Sequence, residues 1–461
     1  MHEAVLREHL IEWANAHGIE SVVDAAGNLI LRKPASRGCE SSPGVILQGH
    51  LDMVCQANAG TEHDFERDSI RTVVRDGRVI AEDTTLGADN GIGVALALAA
   101  LEEPDLIHPP LEVLLTINEE SGMDGARELA PGTLHGKTLI NLDTEEWGHF
   151  YLGCAGGVDV EVQHDCMQEE LPSNYVILRF EVSGLRGGHS GIDIHLGHGN
   201  AIKLLAEALR DMCAHTDLRL IEMKGGTARN AIPREAYAVV AISGDSAAEQ
   251  IDAWVQHRNE AWQQRFSAVD RNISFMCMLD EMQVGKAVGQ ADRDRLLGFL
   301  DLVTNGVSSI SDDFPGVTDT SSNLGVVVLE HGSFRATFKV RSLLDARKDE
   351  LADKLVSRAT GYGLRAWKDG TYPGWTPNPA SNLLKLCQRV YTEQFGHPAS
   401  LQVIHAGLEC GLLAASHSHL DMISFGPDIR GAHAPGESVE IESVARCWNL
   451  LKGILRALAR E

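Results

Sequence analysis

Leu111-Glu112-Val113-Leu114-Leu115-Thr116-Ile117 runs directly into Asn118-Glu119-Glu120-Ser121-Gly122-Met123-Asp124. The first seven residues are a mainly apolar run of strand length and read as a buried strand. Two adjacent carboxylates at the end of such a strand are poor for stability, because like charges repel and each loses hydration. A metal ion accounts for them: one carboxylate ligates it, and the other, held alongside, moves a proton.

The same arrangement recurs along the chain. Val45-Ile46-Leu47 reads as a short buried strand ending in Gln48-Gly49-His50-Leu51-Asp52. On extended backbone His50 and Asp52 face the same side, as a ligand and the carboxylate that orients it would. A surface histidine beside a solvated aspartate is the plainer alternative. Leu139-Ile140-Asn141-Leu142 is a third apolar strand and ends in Asp143. Asp89, within Thr84–Gly93, stands at the entrance of the alanine- and leucine-rich helix Val94–Leu101, where a simple N-cap would also stand. Met422–Phe425 is the last strand and leads into a turn-rich loop containing His433. Ligands of open α/β sheets gather outside the carboxyl ends of strands, so several such positions together weigh more than any one. Two histidines, several carboxylates and no cysteine suit a pair of divalent ions of the zinc, manganese or cobalt kind. Two ions ~3.5–4 Å apart, bridged by one carboxylate, would share an activated water.

Composition sets the outer limits. The chain has 461 residues, enough for two or three domains, with 44% hydrophobic and 23% charged content as in soluble globular proteins. A net charge of −25 argues against nucleic acid and anionic membrane surfaces as partners. The nine cysteines are scattered, with no CxxC, so a disulfide framework is not expected and a cytoplasmic location fits. Met1–Gly18 reads as an amphipathic helix with Leu6, Leu10 and Trp13 on one face, not as a signal peptide. No apolar run reaches the length of about 18 residues that spans a membrane.

The expected architecture is an α/β domain interrupted by a second domain. After the first helix, Ser21–Leu31 reads as a hairpin turning at Gly27-Asn28. From Gly157 the pattern changes to strands at Tyr175–Val182, Leu218–Met223 and Ala231–Ile242, with helices at Asn200–Cys213 and Ala247–Trp262. A second round follows: a strand at Ile273–Leu279, a helix at Asp292–Leu302, strands at Leu324–Glu330 and Phe334–Val340, and a helix at Lys348–Thr360. This is an α+β insertion that reads as a degenerate duplication. The segment Thr371–Pro379, rich in proline and glycine, reads as the return linker. The divisions are therefore 1–156, 157–371 and 372–461, the first and last forming one domain.

Nine motifs carry a family resemblance over nearly the whole chain. They are GHLDMVCQ (Gly49–Gln56), TTLGADNGIG (Thr84–Gly93), NEESGMDGA (Asn118–Ala126), NLDTEEWG (Asn141–Gly148), GLRGGHSGIDIHLGHGNA (Gly184–Ala201), ARNAIPRE (Ala228–Glu235), YPGW (Tyr372–Trp375), HAGLECG (His405–Gly411) and GPDIRGAHAPGE (Gly426–Glu437). In these the chain resembles the cytosolic aminoacyl-histidine dipeptidases of the two-metal exopeptidase superfamily. The resemblance implies a mixed-sheet catalytic domain with an inserted lid, two divalent ions with zinc foremost, small peptides as substrates and a homodimer. It implies that His50, Asp89 and Asp143 hold one ion, that Asp89, Glu120 and His433 hold the other, that Glu119 is the general base and that Asp52 orients His50. It further implies a cis peptide at Asp89-Asn90, His189 as the oxyanion donor, and Asn230 and Arg341 as substrate-binding residues. Members of that family carry a further helical segment before the position of Met1.

Several residues have two readings. Glu409 could meet the substrate's free amine or simply be a carboxylate at a helix N-terminus. His195 and His198 could extend a metal cluster but sit among turn glycines. His405, His417 and His419 read as packed or polar residues, and Cys55 as a packed thiol. Arg341 could be a strand-surface ion-pair partner.

Overall fold

A computed structural model describes residues 3–172, 174–243, 248–282 and 284–460. The chain divides into two compact units. One comprises Met1–Cys154, Trp375–Val403 and Leu408–Glu461; the other comprises Ala155–Gly374 and Ile404–Gly407. The short return into the second unit at 404–407 has no mark in composition and is not foreseen from the sequence.

The first unit is built on an eight-stranded mixed sheet. Its order is Glu20–Val23, Leu29–Lys33, Leu111–Thr116, Val45–His50, Thr138–Asn141, Asp421–Ser424, His149–Cys154 and Ser400–Ile404. The four strands from Leu111–Thr116 to Asp421–Ser424 are mutually parallel. Every residue of Val45–His50 and of Leu111–Thr116 is buried, as expected of parallel strands covered on both faces. Register puts His50 opposite Thr116 and Gln48 opposite Asn141. The residues that follow each strand therefore emerge at one edge of the sheet.

Close packing fixes these strand ends to the helix Ala88–Glu102. Asn90 donates through Nδ2 to the carbonyl of Leu142 at 2.7 Å. Its side chain fills the space left by two glycines: a Cβ at Gly49 would stand 2.2 Å from Asn90 Oδ1, and one at Gly93 would stand 2.4 Å from the same atom. The Gly93 position would also press on the Leu142 carbonyl at 2.4 Å. His50, Asp89 and Asp143 each adjoin a member of this contact, so one packed joint sets three candidate ligands.

The second unit has a different layer plan. Its nine-stranded sheet orders Ser274–Leu279, Tyr175–Ser183, Ala236–Ser243, Leu218–Gly225, Thr318–Glu330, Ser333–Ser342, Gly156–Asp165 and Arg365–Tyr372, with Gly306–Ile310 joined to Thr318–Glu330. Tyr175–Ser183 buries alternate residues only, the sign of a sheet with its core on one side. That core includes Phe180, Phe275, Phe299 and Phe338 together with helix residues such as Leu205, Leu296 and Leu355. The two rounds of strands expected from the sequence are not separate halves but one continuous sheet: Ser274–Leu279, expected to open the second round, pairs with Tyr175–Ser183 of the first, and Leu218–Gly225 pairs with Thr318–Glu330. The single strand expected over Ala231–Ile242 is two, Ala231–Ile232 and Ala236–Ser243, interrupted at Pro233.

Glycine substitutions separate packing from helix propensity. Gly93→Ala should destabilise the first unit by about 1–3 kcal/mol through overpacking. Gly91→Ala, whose added Cβ meets nothing within 4 Å, should change stability by no more than ~1 kcal/mol. Urea denaturation of the two variants checks this; equal midpoints would contradict the packed joint.

Candidate active site

Asn118 ends the strand run in a left-handed conformation, φ 53°, and Met123 closes the following helical turn at φ 57°. The four residues between them, Glu119–Gly122, form that single turn. Asp52 holds it from outside: its Oδ1 accepts the Glu119 N–H and its Oδ2 the Glu120 N–H, each at 3.0 Å. His50 turns Nδ1 toward the same residue, 3.0 Å from the Asp52 carbonyl and 3.4 Å from its carboxylate. Asp52 therefore positions both adjacent glutamates as well as His50.

Asp89 does not cap its helix. Gly87, at φ 73°, occupies the N-cap position, and Asp89 and Asn90 have non-helical backbone within the first turn. The Asp89-Asn90 peptide is cis. The Asp89 side chain instead reaches two imidazoles, with Oδ1 3.1 Å from His50 Nε2 and Oδ2 3.2 Å from His433 Nε2. His50 Nε2 also lies 3.2 Å from Asp143 Oδ1, and His433 Nε2 lies 3.0 Å from Glu120 Oε1. One ligand atom each from His50, Asp89 and Glu120 falls within 4.8 Å of the others.

This donor set fits a cation. Each Nε2 carries at most one hydrogen, yet each faces two carboxylate oxygens. Glu120 Oε1 and Asp143 Oδ1 are buried and left without a hydrogen bond. Burial pushes Asp143 up to about 7, against the pull of His50. Burial, followed by the Asp143, Glu409 and Glu120 carboxylates, also drives Glu119 well above the ordinary carboxylate range, against His50. The carboxylates of Asp89 and Glu120 beside its ring raise His433 to about 10. Divalent charge placed among these groups would relieve all three effects.

Residues outside the expected set complete the surroundings. Glu145 is pushed up to about 7 by burial and then by Asp89. Beneath the site, Glu409 Oε2 accepts Gln48 Nε2 and Thr116 Oγ1, each at 2.6 Å. Asn141 donates to Gln48 Oε1 and accepts from Ser424. Glu409 is fully buried as the first residue of the helix Glu409–Ser416. Its Oε2 is committed to Gln48 and Thr116, while its Oε1 has no hydrogen-bond partner. The only sequence signal for Glu145 was its place two residues beyond Asp143. For Gln48 and Thr116 it was polarity inside apolar strands.

In the second unit, His189 lies on the two-residue strand Gly188–His189, opposite Ala231 and so next to Asn230. Its Nδ1 accepts the N–H groups of Gly191 and Ile192 at 3.2 and 3.0 Å. The ring proton of the neutral imidazole is thereby placed on Nε2, as a donor. Arg341 Nη2 stands 3.5 Å from that nitrogen, and its Nη1 donates to the Tyr372 hydroxyl at 2.8 Å. Arg341 is 4% exposed, its Nε has no hydrogen-bond partner, and among the described residues no carboxylate pairs with it. A buried guanidinium without a counterion is set up for an anionic group from outside the protein. Among the described residues the strand-surface ion pair weighed from sequence is absent.

The other histidines do not extend the cluster. His405 is buried against Ser321 Oγ at 2.7 Å, and burial lowers it to about 3. His195 and His198 bond to the carbonyls of Ile192 and Gly187. A further group of candidate ligands, His164, Cys166 and Asp292, also comes together in the second unit. There Arg295 already bonds to Asp292 and supplies the positive charge.

Comparison with known proteins accords with this geometry. A family described as a peptidase dimerisation domain (M20) matches residues 180–265. The chain is 42% identical to the cytosol non-specific dipeptidase of Escherichia coli K12 over 458 residues, covering 99% of this chain and 94% of that one. It superposes on the crystal structure of aminoacylhistidine dipeptidase from Vibrio alginolyticus with a TM-score of 0.87 at 38% identity, covering 99% and 93% of the two chains. An aminopeptidase from Bacillus cereus shares the fold at 16% identity and a TM-score of 0.55, over 99% and 93%. The chain belongs to the M20 metallopeptidase family, in the group that includes the cytosol non-specific dipeptidase and aminoacylhistidine dipeptidase.

Proposed function

We propose that the chain hydrolyses dipeptides with the help of two divalent ions, zinc foremost and manganese or cobalt as alternatives. The observation that carries this reading is Asp89, whose two oxygens reach two different histidines, as a bridging ligand's would. His50, Asp89 and Asp143 would hold one ion, and Asp89, Glu120 and His433 the other. When bound, the ions supply Lewis-acid polarisation of the scissile carbonyl and ease ionisation of water. Glu119, kept beside Glu120 by the Asp52 clamp, takes a proton from the attacking water and passes it to the leaving amine. His189, of this chain or of its dimer partner, would present its Nε2–H to the developing oxyanion. Arg341 takes the substrate carboxylate, and Asn230 holds substrate next to His189.

The substrate class is proposed as dipeptides, with Xaa-His and β-Ala-His preferred. A second reading, broad dipeptide or tripeptide hydrolysis, is favoured by the similarity to the Escherichia coli relative, a non-specific dipeptidase. The match to a peptidase dimerisation domain supports a homodimer. The relative's description as a cytosol enzyme supports a cytoplasmic location, and among the described residues no helix is long and apolar enough to cross a membrane.

Glu119→Ala should retain bound metal and lower kcat by at least ~10²-fold, the scale of general-base loss. Near-normal turnover would remove Glu119 from that role. EDTA should abolish activity, and re-addition of zinc, manganese or cobalt should restore it; activity that survives metal removal would overturn the two-ion reading. Initial rates on β-Ala-His, Ala-His, Leu-Leu and a tripeptide separate the two substrate readings. The Xaa-His preference predicts kcat/KM at least ~10-fold higher for the histidine dipeptides, within what a side-chain pocket supplies. Equal values would leave the broad reading.

A further inference from the structure

The loop that brings His433 to the site carries a second carboxylate, Glu437, which is only 2% exposed. Its oxygens accept four successive backbone N–H groups. Oε2 takes those of Leu86 at 2.6 Å and Gly87 at 2.9 Å, and Oε1 takes those of Ala88 at 2.8 Å and Asp89 at 3.3 Å. The amides converge because Gly87 adopts the left-handed conformation, φ 73°, which turns consecutive N–H groups to one side. Main-chain bonds join the same two segments, Ala81 N–H to Glu437 O at 3.0 Å and Gly436 N–H to Thr84 O at 2.9 Å.

This ring of bonds ends on Asp89, and it starts from the loop that bears His433. One buried side chain therefore ties together two residues whose own side chains meet at 3.2 Å. The other candidate ligands have their own supports: His50 ends a strand, Asp143 follows one, and the Asp52 carboxylate holds the Glu120 amide. His433 lies outside any strand, between the short paired strands Ile429–Arg430 and Ser438–Glu440. It sits in a loop at φ 65°, with 51% of its side chain exposed.

We infer that Glu437 is a positioning residue for the metal centre: by holding the Leu86–Asp89 amides it fixes Asp89 against His433, and it governs chiefly the ion that those two residues share with Glu120. The inference rests on the two-ion reading above. Glu437 touches no reacting atom. It acts through main chain, as the outer groups that orient metal ligands commonly do. Glutamine in its place would present an NH2 group to backbone donors and leave amides unsatisfied. Aspartate would keep the charge but fall short by one methylene.

The test uses the full-length chain, stripped by chelator and titrated with Co2+, with equilibrium dialysis for affinity and visible absorption for coordination. The wild type should take up two equivalents. Glu437→Gln should bind one equivalent ~10–100-fold more weakly with an altered spectrum, and Glu437→Asp should fall between them. A purely structural role would lower the thermal midpoint and leave affinity and spectrum unchanged. Wild-type Co2+ affinity and spectrum in Glu437→Gln would overturn the inference. Should that variant fail to fold, wild-type values in Glu437→Asp would do the same. If the wild type itself fails to take two equivalents, the two-ion reading falls, independently of Glu437.

Discussion

Each of two imidazoles in the first unit faces two carboxylate oxygens with a single Nε2–H to offer. That shortage of positive charge is the constraint on which the surrounding structure depends. Asp89, Glu119, Glu120 and Asp143 converge where water is largely excluded, and no Lys or Arg among the described residues pairs with any of them. Repulsion and lost hydration would drive such a group apart. The fold holds it by main-chain means. Parallel strands deliver His50 and the residues after Thr116 and Asn141 to one edge, Asp52 grips two amides of the Glu119–Gly122 turn, and Asn90 wedges between Gly49 and Gly93.

The proposed division of work between Glu119 and Glu120 follows from this scaffold. Both take their backbone position from the same carboxylate. Only Glu120 reaches a histidine, at 3.0 Å from His433. Glu119 stays among the carboxylates with its proton affinity raised, chiefly by burial. Adjacency in sequence places one side chain in the donor set and its neighbour within reach of it. The second unit carries, on a one-sided sheet, an imidazole held as an Nε2–H donor and a buried guanidinium that no carboxylate pairs with among the described residues. These groups suit a carboxylate and a developing oxyanion more than an apolar side chain. The geometry therefore speaks more clearly about the reaction than about the residues cleaved.

Much of the first unit was legible because its central strands are short apolar runs. The runs at 45–47, 111–117, 139–142 and 422–425 all lie in the parallel part of the sheet. The residues read at their ends, His50, Glu120, Asp143 and His433, together with Asp89, are brought within hydrogen-bond distance of one another. Strands with little apolar signal were missed. Gly156–Asp165 places polar residues between its valines, and Arg365–Tyr372 is an edge strand that is largely exposed. The Asp89 N-cap alternative failed because the helix begins irregularly, a feature set by the Asn90 contact across the sheet edge. Glu437 and Gln48 were not read as site residues. Their partners lie 348 to 361 positions away in sequence, and the one local mark is the polarity of Gln48 within an apolar strand.

The central claim is that this cluster is a two-ion centre with Asp89 as the bridge. A crystal structure of the metal-loaded protein, with anomalous scattering recorded at the metal edge, tests it most directly. The account predicts two anomalous peaks ~3.5–4 Å apart, both within bonding distance of Asp89, one also contacting His50 and Asp143, the other Glu120 and His433, with Glu119 bound to neither. A single peak, or a peak ligated by Glu119, would contradict it.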